Sequence, residues 1–221
     1  MKLAQHAASF ASIGVITVIT AFTVQVKNNN IHPVPYYTND TTAVTKVTAF
    51  QVDAKNSILH WTARKVTGAH EGTISISTGT LHVENNALQH GSFKLDTRSI
   101  AVTDLKDPES NAKLVGHLKS DDFFSVEKYP VADFVITGVK PHGNGQYDLT
   151  GKLTIKGITN DVSFPATIVI NKGKLTANAK IKVDRTRYDI KYRSSNYFEN
   201  LGDKTIYDDF DLEVTLLANA Q

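Results

Sequence analysis

The 221-residue chain contains no cysteine. That absence removes disulfides, thiolate metal sites, cysteine nucleophiles and a lipid-modified cysteine anchor. No block of lysine or arginine stands out, and the formal net charge is +2. A nucleic-acid surface needs clustered basic residues, so no nucleic-acid partner is expected. There is no repeat of fixed period, which argues against a solenoid or propeller, and no Gly-x-Ser-x-Gly elbow of the kind that exposes a catalytic serine. Two further motifs fall short. His70-Glu71-Gly72-Thr73-Ile74 begins like a zinc-protease helix but lacks the second histidine, and Gly72 and Thr73 oppose a helix. Gly145 to Gly151-Lys152 resembles a phosphate loop, but its glycines are one residue too far apart and Leu153 stands where Ser or Thr belongs.

Charge is also missing from one stretch. Between Lys2 and Lys27 there is no Lys, Arg, Asp or Glu, and "AASFASIGVITVITAFTVQV" lies between them. A basic start with an apolar middle is the pattern of an export signal. The stretch is also near the ~20 apolar residues that a spanning helix needs, so an uncleaved membrane anchor is the alternative. Either way, residues 1–26 are expected to carry the remainder out of the cytoplasm, to the periplasm or medium. Residues 27–47 include "KNNNIHPVPYYTNDTTAVTK", which lacks periodicity and reads as a flexible linker. Asn39-Asp40-Thr41 within it matches a short glycosylation pattern.

What is present from residue 48 to 219 is a period of two. Leu59, Trp61 and Ala63 alternate with His60, Thr62 and Arg64, and Phe93 and Leu95 with Lys94 and Asp96. Ala132, Phe134 and Ile136 follow the same rule, as do Tyr147, Leu149, Leu153 and Ile155. Leu175 to Val183 and Phe210 to Leu216 are cleaner still. Strict alternation gives each strand one dry and one wet face, the mark of antiparallel sheet. Gly79, Asn85-Asn86, Gly143-Asn144-Gly145 and Asn171-Lys172-Gly173 punctuate the runs as turns. The expected fold is all-β, an extended antiparallel barrel of about eight strands, since closure leaves no exposed edge.

Residues 107–130 interrupt the strands. Asp107-Pro108-Glu109 reads as N-cap, first helical position and first-turn acid. Leu114, Val115 and Leu118 share a helical face, and Ser120 with Asp121-Asp122 predicts the start of a second short helix. Pro130 ends the insertion by forcing Tyr129 to an extended shape. The apolar side of such an insertion fits the open end of a barrel, with Phe123 and Phe124 as plugs.

Little in the domain offers catalysis. The acidic pairs are explained by capping and turns, and the eight histidines show no metal-binding spacing. No catalytic residue, metal or cofactor is expected. A barrel of about eight strands is either filled by its own side chains or hollow enough for one small ligand. The inward alanines at 63, 132, 177 and 179 and the helical cover favour a cavity. A solid-core barrel used as an interaction module, and an enzyme acting on an apolar substrate inside the barrel, remain the alternatives.

The stretches "FQVDAKNSILHWTARKVTGAHEGTI", "GSFKLDTRSIAVTDL", "LVGHLKSDDFFSVEKYPVADFVIT", "YDLTGKLTIKGITNDVSFPATI" and "VDRTRYDI" resemble the YceI-like family of exported, lipid-binding, lipocalin-like barrels. The resemblance implies a long-chain lipid or isoprenoid as ligand, held in an apolar tunnel and carried or sequestered without catalysis. It implies that Phe50, Trp61, Ile74, Phe93, Phe134 and Phe164 face that tunnel. Ala63, Leu95, Ile136 and Leu149 join them by alternation. Leu114, Leu118 and Phe124 would close one end. Arg185 and Tyr188 match the family's Arg-x-x-aromatic pattern, which makes Tyr188 a further lining candidate and Arg185 a head-group candidate. Lys65 stands where many members have His, and would favour an anionic head group. Asp189 stands where Gly is usual. The N-terminal segment could add membrane association, and a dimer is compatible with the sequence.

Overall fold

The computed structural model describes residues 46–221. The export or anchor segment, the glycosylation pattern and nearly all of the linker lie outside the described residues. The elements in chain order are β1 (Val47–Val52), β2 (Ile58–Lys65), β3 (Gly68–Glu84), β4 (Ala87–Val102), α1 (Pro108–Lys119), β5 (Val131–Gly143), β6 (Gln146–Ile155), β7 (Ile158–Asn171), β8 (Lys174–Asp184) and β9 (Ile206–Ala220). Single 3-10 turns at Arg185–Tyr188 and Gly202–Lys204 lie between the last two strands.

Nine strands make eight positions of a closed antiparallel barrel. The ring runs β3-β2-β9-β8-β7-β6-β5-β4 and closes through β4 onto β3. β1 fills the same slot as β2. Both pair with β3 and β9, β2 along residues 68–74 of β3 and β1 along residues 80–84. Between the two half-strands the chain makes a jog that is tied down locally. The Asp53 carboxylate accepts from the Asn56 side chain at 2.8 Å, and the Ser57 hydroxyl donates to the Asp53 carbonyl at 2.7 Å. The Leu217 main-chain N–H donates back to Ser57 Oγ at 3.0 Å, which stitches the jog to β9.

Two-residue hairpins join most neighbours. Asn85-Asn86, Asn144-Gly145, Lys156-Gly157 and Lys172-Gly173 all have positive φ at both positions. That backbone twist matches the right-handed twist of the flanking strands. Lys156, the next residue after Ile155 in the alternating run, therefore stands in a turn and not on the strand. Gly79 is the opposite case, an expected turn that lies inside the continuous 17-residue strand β3. Its missing side chain serves a close approach of Phe93, not a change of direction.

The insertion is a single helix followed by turns. Asp107 caps α1 by accepting from Ser110 N–H at 2.8 Å, with Pro108 opening the helix, Glu109 in its first turn and Lys119 in its last. The expected second helix does not form. Phe124 N–H bonds back to the Leu118 carbonyl and Ser125 N–H to the Ser120 carbonyl, and Ser125 turns left-handed at φ 46°. The result folds Leu118, Phe123 and Phe124 beneath one end of the barrel. The opposite end, the hairpin end, carries the turns at Asn85-Asn86, Asn144-Gly145 and Lys172-Gly173 and is packed, with Phe50, Val52, Val83, Tyr147, Leu175 and Ala218 all buried.

Candidate functional site

The barrel is hollow above that packed end. A first chamber of about 90 Å³ lies under the helical insertion. A second of about 100 Å³ lies toward the hairpins. Each is of the order of a cavity that holds a benzene-sized apolar molecule. Four side chains line both chambers: Leu59 of β2, Leu95 of β4, Leu153 of β6 and Leu212 of β9. They form a collar that divides one apolar channel. The remaining wall is incompletely packed. Inward residues such as Phe93, Phe134, Ala177, Ala179 and Val214 are only half-buried, although they line the second chamber and not the outer surface.

Aromatic wall residues are seated on glycines. Trp61 is the register partner of Gly72, where a Cβ would come 2.6 Å from the indole Cζ2. Phe93 leans over Gly79 and Phe134 over Gly151 in the same way. A glycine in a strand exposes a strip of backbone that a neighbouring ring can cover, which bends the sheet and orients the ring.

The first chamber takes in Trp61, Ala63, Ile74, Leu118, Phe124 and Arg185 of the expected site. The second takes in Phe93, Phe134, Ile136, Leu149 and Phe164, and Leu95 belongs to both. Four expected residues line neither. Phe50 packs in the solid hairpin end, paired with Leu81 and Ala220. Leu114 lies against the hydrophobic core from α1. Tyr188 is 1 % exposed within its 3-10 turn. Lys65 is the last residue of β2, where the register with β9 shifts by the extra residues of β9 between Ile206 and Phe210.

Thr97 and Ile100 line the first chamber but were not among the sequence candidates. A register shift between β3 and β4 separates Thr73 from Ser75, and Ser75 N–H bonds to the Ser99 hydroxyl at 2.8 Å in place of a main-chain partner. The shift flips the inward set from 95 and 97 to 100 and 102, which simple alternation misses. Phe210 and the alanines of β8 were legible as inward residues, and Phe123 as a plug; only closure of the barrel places them on a cavity wall.

Arg185 and Thr97, the buried polar side chains of the first chamber, are committed within the protein. Arg185 is 4 % exposed. Its guanidinium donates to the carbonyls of Ile190 at 2.8 Å, Ile206 at 2.9 Å and Tyr207 at 3.1 Å, and to Asp208 Oδ1 at 3.4 Å. Burial lowers its pKa, while the charges of Asp208 and Asp184 oppose that shift. Arg185 thus clamps the start of β9 to the segment after β8. The Thr97 hydroxyl donates to the Tyr129 carbonyl at 2.7 Å. Tyr207 and Asp209, both exposed, complete the lining where the chamber reaches the surface. The second chamber is lined by apolar residues throughout.

Asp189, where the resemblance implies Gly, takes a left-handed conformation at φ 58° and ψ 31° and caps the 3-10 turn. Asp is among the few residues that tolerate this region. Among the described residues, no group of three or more His, Asp or Glu is placed to hold a metal ion. His70 of the incomplete zinc motif lies on β3 with Nδ1 2.8 Å from Asp104 Oδ2. No helix among the described residues is long and apolar enough to cross a membrane.

Residues 50–218 match the YceI-like domain profile. The chain belongs to the YceI-like family. Among curated relatives, a UPF0312 protein of Pseudomonas putida is 51 % identical over 51 residues, 23 % of this chain and 27 % of that protein. A UPF0312 protein of Vibrio parahaemolyticus is 37 % identical over 86 residues, 36 % of this chain and 46 % of that protein. The chain thus spans between about a quarter and a half of the length of these relatives. The crystal structure of Burkholderia cenocepacia BcnA shares the fold at TM-score 0.62 and 22 % identity, covering 75 % of this chain and 98 % of that one. A polyisoprenoid binding domain from Saccharophagus degradans, implicated in plant cell wall breakdown, does so at TM-score 0.58 and 14 % identity, covering 79 % and 99 %.

Proposed function

We propose that this YceI-like barrel binds a long-chain lipid, isoprenoid or fatty-acid-like, and carries or sequesters it without chemical change. The observation that carries the reading is the channel: two chambers in line, walled by apolar side chains and joined at a leucine collar. Each methylene removed from water contributes roughly 0.8 kcal/mol, so a hydrocarbon chain needs few polar contacts to bind. The solid-core alternative does not fit a barrel whose inward rings and alanines border open space. A catalytic alternative lacks a positioned acid–base pair, since Arg185 is held by carbonyls and Asp209 stands exposed at the mouth. The polyisoprenoid binding described for the Saccharophagus domain supports the same class of ligand on the same fold.

The setting we propose is outside the cytoplasm, as the uncharged stretch between Lys2 and Lys27 supports, with that segment either cleaved or retained at a membrane. Purification from the native host, followed by native mass spectrometry and lipid extraction, tests the reading. A stoichiometric lipid is the expected result. Protein recovered empty that also takes up no prenyl or fatty-acid probe would overturn it.

A further inference from the structure

Among the described residues, every exposed Phe and Tyr lies at the end of the barrel that carries the insertion: Tyr129, Tyr197, Phe198 and Tyr207. The large hydrophobic residues exposed at the hairpin end are the aliphatic Val47 and Val169. Tyr197, Phe198 and Tyr207 are each about half exposed, and Val66, in the turn between β2 and β3, matches them. Hydrogen bonds tie their segments into one surface. Val66 N–H donates to the Thr205 carbonyl at 3.1 Å, and Ile206 N–H to the Arg193 carbonyl at 3.0 Å. Phe198 N–H donates at 2.9 Å to the carbonyl of the fully buried Ser194, and the Asn196 side chain donates to Asp208 Oδ2 at 2.6 Å. The exposed rings therefore stand on a fixed scaffold. Tyr207 also lines the first chamber, so this surface borders the mouth of the channel. Apolar side chains grouped in one exposed place mark a site of interaction with a protein or a membrane.

We propose that this face docks on the phospholipid headgroup layer of a membrane, mouth down, so that a lipid passes between bilayer and barrel without crossing water. This rests on the lipid-binding reading and adds the surface through which the cargo moves. Every methylene that enters water in transit raises the barrier to transfer, and a mouth pressed to the bilayer avoids that exposure. Tyrosine suits the layer, because its ring is apolar and its hydroxyl stays wet. The charges around the face are balanced, Arg193 and Lys204 against Glu199 and Asp203, all of them exposed. That balance complements a zwitterionic headgroup and selects no strongly anionic or cationic partner. The length of the preceding chain allows the orientation. The described chain begins beside Val47, which pairs with Glu84 at the hairpin end. Residues 27–45 can extend to roughly 60 Å, and the 17 residues of β3 reach no more than roughly 56 Å. A retained N-terminal segment thus permits a mouth-down barrel as well as a cleaved one does.

The chain has no cysteine, so Val66→Cys and Val169→Cys each accept a single fluorescent label. The two valines are matched in exposure, 52 % and 57 %, and stand at opposite ends. Iodide quenching of each label is measured on the full chain, with and without vesicles of phosphatidylcholine. The label at 66 is expected to lose most of its quenching when vesicles are added, and the label at 169 to keep it. In the double variant Tyr197→Ser, Phe198→Ser, transfer of a fluorescent prenyl probe between vesicles is expected to slow about tenfold. Its affinity for the same probe delivered from cyclodextrin should match wild type, because neither side chain lines a chamber. Labels that respond alike to vesicles, both open or both shielded, overturn the proposal; an N-terminal anchor acting alone leaves both open. A label at 66 already shielded without vesicles also overturns it, since another part of the chain or a second copy then covers the face. So does an unchanged transfer rate in the double variant. Failure of the wild-type protein to take the probe from cyclodextrin overturns the lipid-binding reading instead, and the label pair still decides whether the face docks. Should the double variant not fold, the label pair decides alone.

Discussion

Phe93 leans across Gly79, its register partner on the neighbouring strand. A methyl group at Gly79 would lie 2.7 Å from the ring's Cδ1 and 2.8 Å from Cγ2 of Val52. The ring of Phe93 is part of the second chamber's wall, and Val52 belongs to the packed end below it. One absent side chain thus sets both the shape of the cavity and its floor. Gly79→Ala is expected to lower unfolding free energy by about 1–3 kcal/mol through overpacking. Gly116→Ala is the control. It lies on α1 with nothing within 4 Å of its Cβ position, and should raise stability by roughly 0.5–1 kcal/mol. Urea unfolding of the two variants checks both signs.

Ala177 and Ala179 of β8 border the second chamber. Enlarging them puts side-chain volume where a tail would lie, without disturbing the collar. Ala179→Phe is expected to keep the fold and shorten the chain the barrel accepts. If about four methylenes are excluded, affinity for a long-chain probe falls by about 3 kcal/mol, or roughly a hundredfold. A short-chain probe that fills only the first chamber should bind as before. A chain-length series measured by calorimetry distinguishes the two.

Arg185 is a structural clamp in this molecule. Arg185→Met keeps the stem and removes the fork, leaving three carbonyls of the barrel rim without donors. A loss of about 3 kcal/mol in unfolding free energy is expected, near 1 kcal/mol per lost bond. Arg185→Lys should recover little, because a point charge cannot reach three diverging acceptors. Chemical denaturation of both variants tests this.

The outer face carries carboxylates stabilised in the charged form. The Asp211 carboxyl is held below the usual range, chiefly by its hydrogen bond with Arg64, with Lys182 adding to the effect against the opposing influence of burial. Asp96 is lowered chiefly by Arg98. A group whose folded pKa is depressed adds stability above its unfolded pKa and loses it as pH falls through the folded value. Stability should therefore be level from neutral to about pH 5 and decline below about pH 4. Asp211→Asn should be less stable than the parent at pH 7 and close the gap at pH 3. Urea midpoints across that range check the sign.

The sequence by itself determined the strands, their inward faces, the helical interruption with its Asp107 cap, and the asparagine- and glycine-bearing hairpins. These rest on information local to a few residues: side-chain direction with period two, first-turn capping chemistry, and the positive φ that a tight hairpin demands. It misplaced whatever depends on a neighbouring strand. Ile100 lies beyond a bulge that resets the alternation, Lys65 ends β2 where β9 carries the extra residues, Gly79 answers to a ring on β4, and the residues after Ser120 fold back onto Leu118 instead of forming a helix. The hollow itself belongs to the tertiary structure. Empty space is the difference between the girth at which eight strand positions close and the volume of side chains supplied from all of them. No single stretch of chain carries that difference.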